Sequence, residues 1–143
     1  MKKIKKFEYI QKGSDLYRDD RGDIQNYKLT EKINLVATIT SKPNTLRSNH
    51  YHPIQQQKCL LVSGQYISIY KDLKKKNSSR ITHVANQGDL VVTEPLVAHT
   101  MVFTKNSIFL NLVNGEREHK NYGKTHTIPI KLISNSEKNF LFN

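Results

Sequence analysis

Short apolar or alternating runs, separated by turn residues, make up most of this chain, and helical periodicity is almost absent. The pattern predicts strands over residues 5–10, 24–29, 33–40, 45–52, 57–62, 65–70, 80–84, 89–93, 99–103 and 107–113. Ser63-Gly64 joins two of them as a tight hairpin, and Gln65 to Tyr70 alternates in part. Residues 71–79 read as a charged hairpin loop; Asn86-Gln87-Gly88 and Asn114-Gly115 read as turns. No element is assigned after about Pro129, where Leu132-Ile133 and Phe140-Leu141-Phe142 are expected to cover the barrel or a second subunit. Many short strands at this spacing make an all-β sandwich or barrel with loops at both ends, and periodicity does not choose between the two.

At 143 residues the chain is expected to form one domain, residues 1–143, with a core over about 30–113 and an extension over 114–143. The net charge of +11 raises a polyanionic partner such as nucleic acid. Against this, the lysines scatter along the chain. The one dense run, Lys71 to Lys76, sits in a predicted loop with no aromatic interleaving, so nucleic-acid binding is not expected. A positive field would still help capture a nucleotide diphosphate. No run approaches the roughly 20 apolar residues that span a bilayer. The basic start, Met1-Lys2-Lys3, is followed by no apolar stretch, so export is not expected. The single Cys59 fits a reducing cytoplasm and reads as a buried small hydrophobe.

Candidate chemistry lies in Arg47-Ser48-Asn49-His50-Tyr51-His52. In a strand, residues two apart share a face, so both imidazoles point the same way. If that face lines a barrel interior, they form a site for a metal ion or for proton transfer, which His99 could complete. Gln57 reads either as a site residue or as a strand-edge residue, and His83, His119 and His126 read as surface residues.

Four residues separate His52 from Gln57 and six more separate Gln57 from Gly64; further on come Gly88, Pro95 and His99. These blocks resemble the two motifs of the cupin superfamily and cover roughly Arg47 to Phe103. Gln57 stands where that family usually has glutamate, no glycine follows Pro95, Phe103 replaces an asparagine, and the opening glycine is missing. The run at 47–52 and the segment at 116–123 are similar to small bacterial cupins that act on nucleotide-linked sugars. These are the dTDP-4-keto-6-deoxyglucose 3,4-ketoisomerases, the dTDP-4-dehydrorhamnose 3,5-epimerases and the cupin domains of capsular polysaccharide enzymes, some of which bind zinc.

The resemblance implies a double-stranded β-helix, or jelly-roll barrel, whose substrate is a nucleotide-linked 4-keto-6-deoxy sugar. It implies His50 as catalytic base and His52 as second acid/base or orienter. Arg47 would pair with a phosphate oxygen; Asn49, Tyr66 and Tyr122 would contact substrate, the tyrosines as possible proton donors. No cofactor is required for such proton transfer. The alternative is a divalent metal (zinc, iron, nickel or manganese) held by His50, His52, His99 and Gln57, in an enzyme or in a non-catalytic sugar-binding barrel. Loss of the glutamate favours the metal-free and non-catalytic readings. The resemblance also implies a homodimer, with the lysine-rich N-terminal strand as the exchanged element.

Overall fold

A computed structural model describes residues 8–115 and 126–141. Two five-stranded antiparallel sheets carry the fold. The first has the order β1 (Glu8–Lys12), β9 (Asp89–Thr93), β6 (Gln57–Ser63), β11 (Ser107–Val113), β4 (Leu35–Ser41). The second runs β12 (Ile128–Pro129), β5 (Leu46–Tyr51), β10 (Val97–Phe103), β7 (Gln65–Asp72), β8 (Ile81–Asn86). This is the jelly roll that the resemblance implied. Strands β9 and β11 have the bounds that the periodicity predicts, and most others differ by one to three residues at an end.

The inner faces of both sheets meet in a core of Cys59, Leu61, Tyr66, Ala85, Val91, Met101, Phe103 and Phe109. Phe103 anchors it, its ring 5.3 Å from Tyr66 and 5.7 Å from Phe109. Every residue of β9 and β10 is buried, because these strands are covered on both faces. Outside the first sheet, Tyr27 and Ile33 pack on Leu90, Val92 and Leu112. Outside the second, Leu132 and Ile133 pack on Ile69 and Val102. The expectation that Leu132-Ile133 covers the barrel therefore holds.

Three elements lie outside the predicted set. β2 (Ser14–Asp19) pairs with β3 (Gly22–Asn26) as a separate two-stranded sheet, almost wholly exposed. With neither face buried, β2 carries no alternation to detect. The other two are β12 and the helix α1 (Asn135–Phe140). Ser134 and Glu137 close a capping box at the start of α1, and that Ser-x-x-Glu signal is present in the sequence.

Gly64 turns the β6–β7 hairpin at φ +100°; a Cβ there would stand 2.6 Å from the Asn106 carbonyl oxygen, so no larger residue fits. Along the opposite edge, β1 pairs with β9 of its own chain and brings Glu8 inside. Thr93 Oγ1 donates to the Glu8 carboxylate at 2.7 Å, and Ser68 Oγ donates from the other sheet. His83 Nε2 lies 2.7 Å from Glu8, so His83 is a half-buried inter-sheet contact rather than the surface residue expected.

Candidate functional site

The two histidines of the His-x-His segment face inward because β5 carries a bulge. Leu46 and Arg47 pair with Val102 and Met101, and Ser48 pairs with Thr100; the register then slips, and His50 rather than Asn49 stands opposite His99. Ser48 and Asn49 both have left-handed backbone, at φ 78° and 55°, which accommodates the extra residue. Without it, strict alternation from Arg47, the register partner of the core residue Met101, would turn both histidines to the other side of the strand.

His50, His52 and His99 then converge. Ring centroids are 4.7 Å apart for His50–His52 and for His50–His99, and 5.2 Å apart for His52–His99. One nitrogen from each lies within 4.8 Å of the others. His52 and His99 are each 1% exposed, whereas His50, at 8%, is the most open of the three. Gln57 enters from the first sheet, where it is the register partner of Thr93. Its Oε1 lies 2.8 Å from His52 Nε2 and 3.0 Å from His99 Nε2.

The other nitrogens settle the tautomers. His52 Nδ1 faces the His126 carbonyl oxygen at 2.8 Å, and His99 Nδ1 faces that of Val97 at 3.0 Å. A carbonyl only accepts, so both rings carry hydrogen on Nδ1, and in the neutral form each turns an Nε2 lone pair to the Gln57 amide. With Oε1 inward, three acceptor atoms surround one point, which suits a cation. Rotated by half a turn, the amide NH2 would donate one hydrogen to each Nε2 and close the set without one.

This donor set fits a divalent ion. Neutral imidazoles and a carbonyl oxygen are ordinary ligands for it, and Nδ1–H groups held by backbone carbonyls are the usual support of metal-bound histidines. The Oε1–Nε2 separations of 2.8 and 3.0 Å are hydrogen-bond lengths, close to the roughly 3 Å between adjacent ligands of an octahedral ion with bonds of about 2.1 Å and shorter than the roughly 3.4 Å of a tetrahedral one.

Other expected site residues lie elsewhere. Arg47 runs toward the β4–β5 turn, where its Nε donates to Ser41 Oγ at 2.6 Å and its Nη2 to the Thr40 carbonyl at 2.9 Å. It lines a groove of about 720 Å³ with Lys42, Thr45, Ser63 and Ser107, and none of the three histidines lines that groove. Asn49 anchors the C-terminal segment. Its Oδ1 accepts from Thr100 Oγ1 at 2.6 Å and from the backbone N–H groups of Leu132 and Ile133, both at 3.2 Å, and its Nδ2 donates to the Ile133 carbonyl. Tyr66 is packed in the hydrophobic core against Phe103, and burial pushes its hydroxyl well above the usual 10.0. Tyr122, His119 and the segment 116–123 fall outside the described residues. His126, expected at the surface, is buried beside His52.

The sequence reading missed Tyr70, the register partner of His99 on β7. Burial, and then the Glu8 carboxylate, push its hydroxyl above 10.0, so it stays protonated and able to donate. The signal was the alternation of β7, which sets Tyr66, Ser68 and Tyr70 on one face.

The fold is shared with enzymes of sugar-nucleotide chemistry. The dTDP-4-dehydrorhamnose 3,5-epimerase from Sulfolobus tokodaii superposes with a TM-score of 0.69 at 13% identity, over 83% of this chain and 76% of that one. The TDP-quinovose 3,4-ketoisomerase from Campylobacter jejuni gives a TM-score of 0.68 at 19% identity, over 83% and 90%. The capsular polysaccharide assembling protein CapF from Staphylococcus aureus gives 0.61 at 19% identity, over 82% of this chain but only 32% of that much longer one. No curated protein matches the sequence significantly. A family model described as the polysaccharide biosynthesis C-terminal domain does match, over residues 17–121. On that match and on its cupin jelly roll, the chain belongs to the polysaccharide biosynthesis C-terminal domain family.

Proposed function

We propose that this chain isomerises or epimerises a nucleotide-linked 4-keto-6-deoxy sugar by histidine-mediated proton transfer, in cell-surface polysaccharide biosynthesis. The observation that carries the reading is the convergence of His50, His52 and His99 inside the barrel. A 4-keto group acidifies the adjacent C–H bonds, and a neutral imidazole is a base of suitable strength at cellular pH. His50 is the base, because it is the most open of the three rings. His52 is held at both nitrogens, by His126 and Gln57, and orients the cluster. Tyr70 is a donor for the enediolate oxygen. Reprotonation at the neighbouring atom isomerises the sugar; reprotonation on the other face epimerises it. The test is proton–deuterium exchange on dTDP-4-keto-6-deoxyglucose in heavy water. Label washed into the ring supports the reading, and a ring that stays fully protonated overturns it.

The inward Gln57 Oε1 favours a second reading, a divalent metal (zinc, iron, nickel or manganese) held by His50, His52, His99 and Gln57. Such an ion would polarise the keto oxygen as a Lewis acid. Elemental analysis of protein purified without an affinity tag separates the two. Metal-free protein that still exchanges label keeps the first reading, and a stoichiometric transition metal moves the chemistry to the second.

The homodimer belongs to the same proposal. Leu16, Tyr17 and Ile24 on the β2–β3 arm are each more than half exposed and would gain cover from a second copy. Sedimentation as a monomer at working concentration would remove it. The single cysteine, Cys59, supports a cytoplasmic location. Among the described residues no helix is long and apolar enough to cross a membrane.

A further inference from the structure

Strand β7 carries Tyr66, Ser68, Tyr70 and Asp72 at two-residue steps. Tyr66 lies in the core and Ser68 reaches Glu8 across the sheets, so this face points into the barrel. Tyr70 stands opposite His99 and Asp72 opposite Val97. Asp72 is therefore the diagonal neighbour of His99, about 7–8 Å away in a regular ladder. It is 3% exposed. Its Oδ1 accepts from the Lys74 backbone N–H at 3.0 Å, and Lys74 Nζ lies 4.0 Å from the same oxygen. Among the described residues its Oδ2 is buried with no hydrogen-bond partner.

A buried carboxylate oxygen without a donor costs free energy, which a ligand's O–H or N–H would recover. A second acceptor in the same condition, Asn111 Oδ1, lies in the facing sheet. Asn111 is the register partner of Cys59, whose side chain is in the core, so it points into the same interior. The two acceptors lie on the inward faces of the two facing sheets, and a ligand rich in hydroxyl groups would supply the donors they lack.

We propose that Asp72 binds the sugar, its Oδ2 accepting a hydrogen bond from a ring hydroxyl while the histidines act on the keto-bearing part of the ring. The inference rests on the function proposed above and adds the residue that distinguishes sugar from nucleotide. Asp72→Asn suits the test because the amide keeps an oxygen for the Lys74 N–H while losing the charged acceptor.

Calorimetric titration of the full chain with dTDP and with dTDP-4-keto-6-deoxyglucose reads the outcome. Wild type should bind the sugar nucleotide more tightly than dTDP. The variant should bind dTDP as wild type does and lose about 10- to 100-fold in affinity for the sugar nucleotide. Its thermal midpoint should not fall, because the buried oxygen that is replaced accepts no hydrogen bond from the described residues. Unchanged affinity for both ligands, or an equal loss for both with a lowered midpoint, overturns the proposal and leaves Asp72 a turn residue. Wild type that binds neither ligand, or both equally, fails the functional reading itself, and the proposal falls with it. If the asparagine variant does not fold, Asp72→Ser, which also keeps an oxygen for the Lys74 N–H, is read the same way.

Discussion

His50→Asn is expected to slow deuterium wash-in to a dTDP-4-keto-6-deoxy sugar by about 100- to 10,000-fold, the usual contribution of a positioned general base. Asparagine preserves polarity and approximates the reach of the nearer ring nitrogen, but it has no basic lone pair to take a carbon-bound proton. Nucleotide binding and thermal midpoint should stay near wild type, because His50 is the outermost ring of the cluster. His52→Asn should behave differently. Its ring is held by the His126 carbonyl and by Gln57 in a site 1% exposed, so the variant should lose stability along with exchange. Wash-in by His50→Asn at the wild-type rate would take the base away from His50. A His52→Asn protein as stable as wild type would show that the cluster is not held together as its hydrogen bonds indicate.

Gln57→Glu should raise zinc affinity by at least about 100-fold while destabilising the metal-free protein. The oxygen at this position lies 2.8 and 3.0 Å from two Nε2 atoms, and the residue is buried. A carboxylate there is an added negative charge in a site that water hardly reaches, and such a charge costs several kcal/mol unless a cation answers it. The cation can be a bound ion. Zinc bound only by the folded state should then raise the variant's thermal midpoint strongly with concentration, and wild type's much less. Competition with a chromophoric chelator gives the affinities, and thermal scans with and without zinc give the stability. Equal zinc affinity in both proteins would mean that the four side chains do not act as one ligand set.

Much of this site can be read without coordinates. The pairing of His50 with His52 on one face follows from strand alternation, and the distant contribution of His99 from motif spacing, whereas Gln57 stays open between site and strand edge until the sheets are packed. The strands β9 and β11 are legible to the residue because their apolar runs end in turn residues. What escaped lacks a local signal, or has one that a strand-based reading passes over. Strand β2 has no buried face and therefore no alternation. His126 is buried only because the chain returns to β5 through β12 and sets its carbonyl against His52. Asn49 sits within the most suggestive hexapeptide, yet its side chain turns to Thr100 and the backbone of residues 132 and 133. Arg47, three residues before His50, is drawn away by Ser41 and Thr40.

Alternating and short apolar runs are enough to make this an all-β chain and to set two imidazoles on one side of a strand, since a pleat of period two relates residues i and i+2 whatever the strand packs against. They could not determine which side is the inside. That was decided by pairing with β10, where the left-handed Ser48 and Asn49 insert one extra residue and bring His50 level with His99. Register is a relation between strands far apart in sequence. Only their packed arrangement converts a local spacing of histidines into a cluster that can hold a proton or an ion.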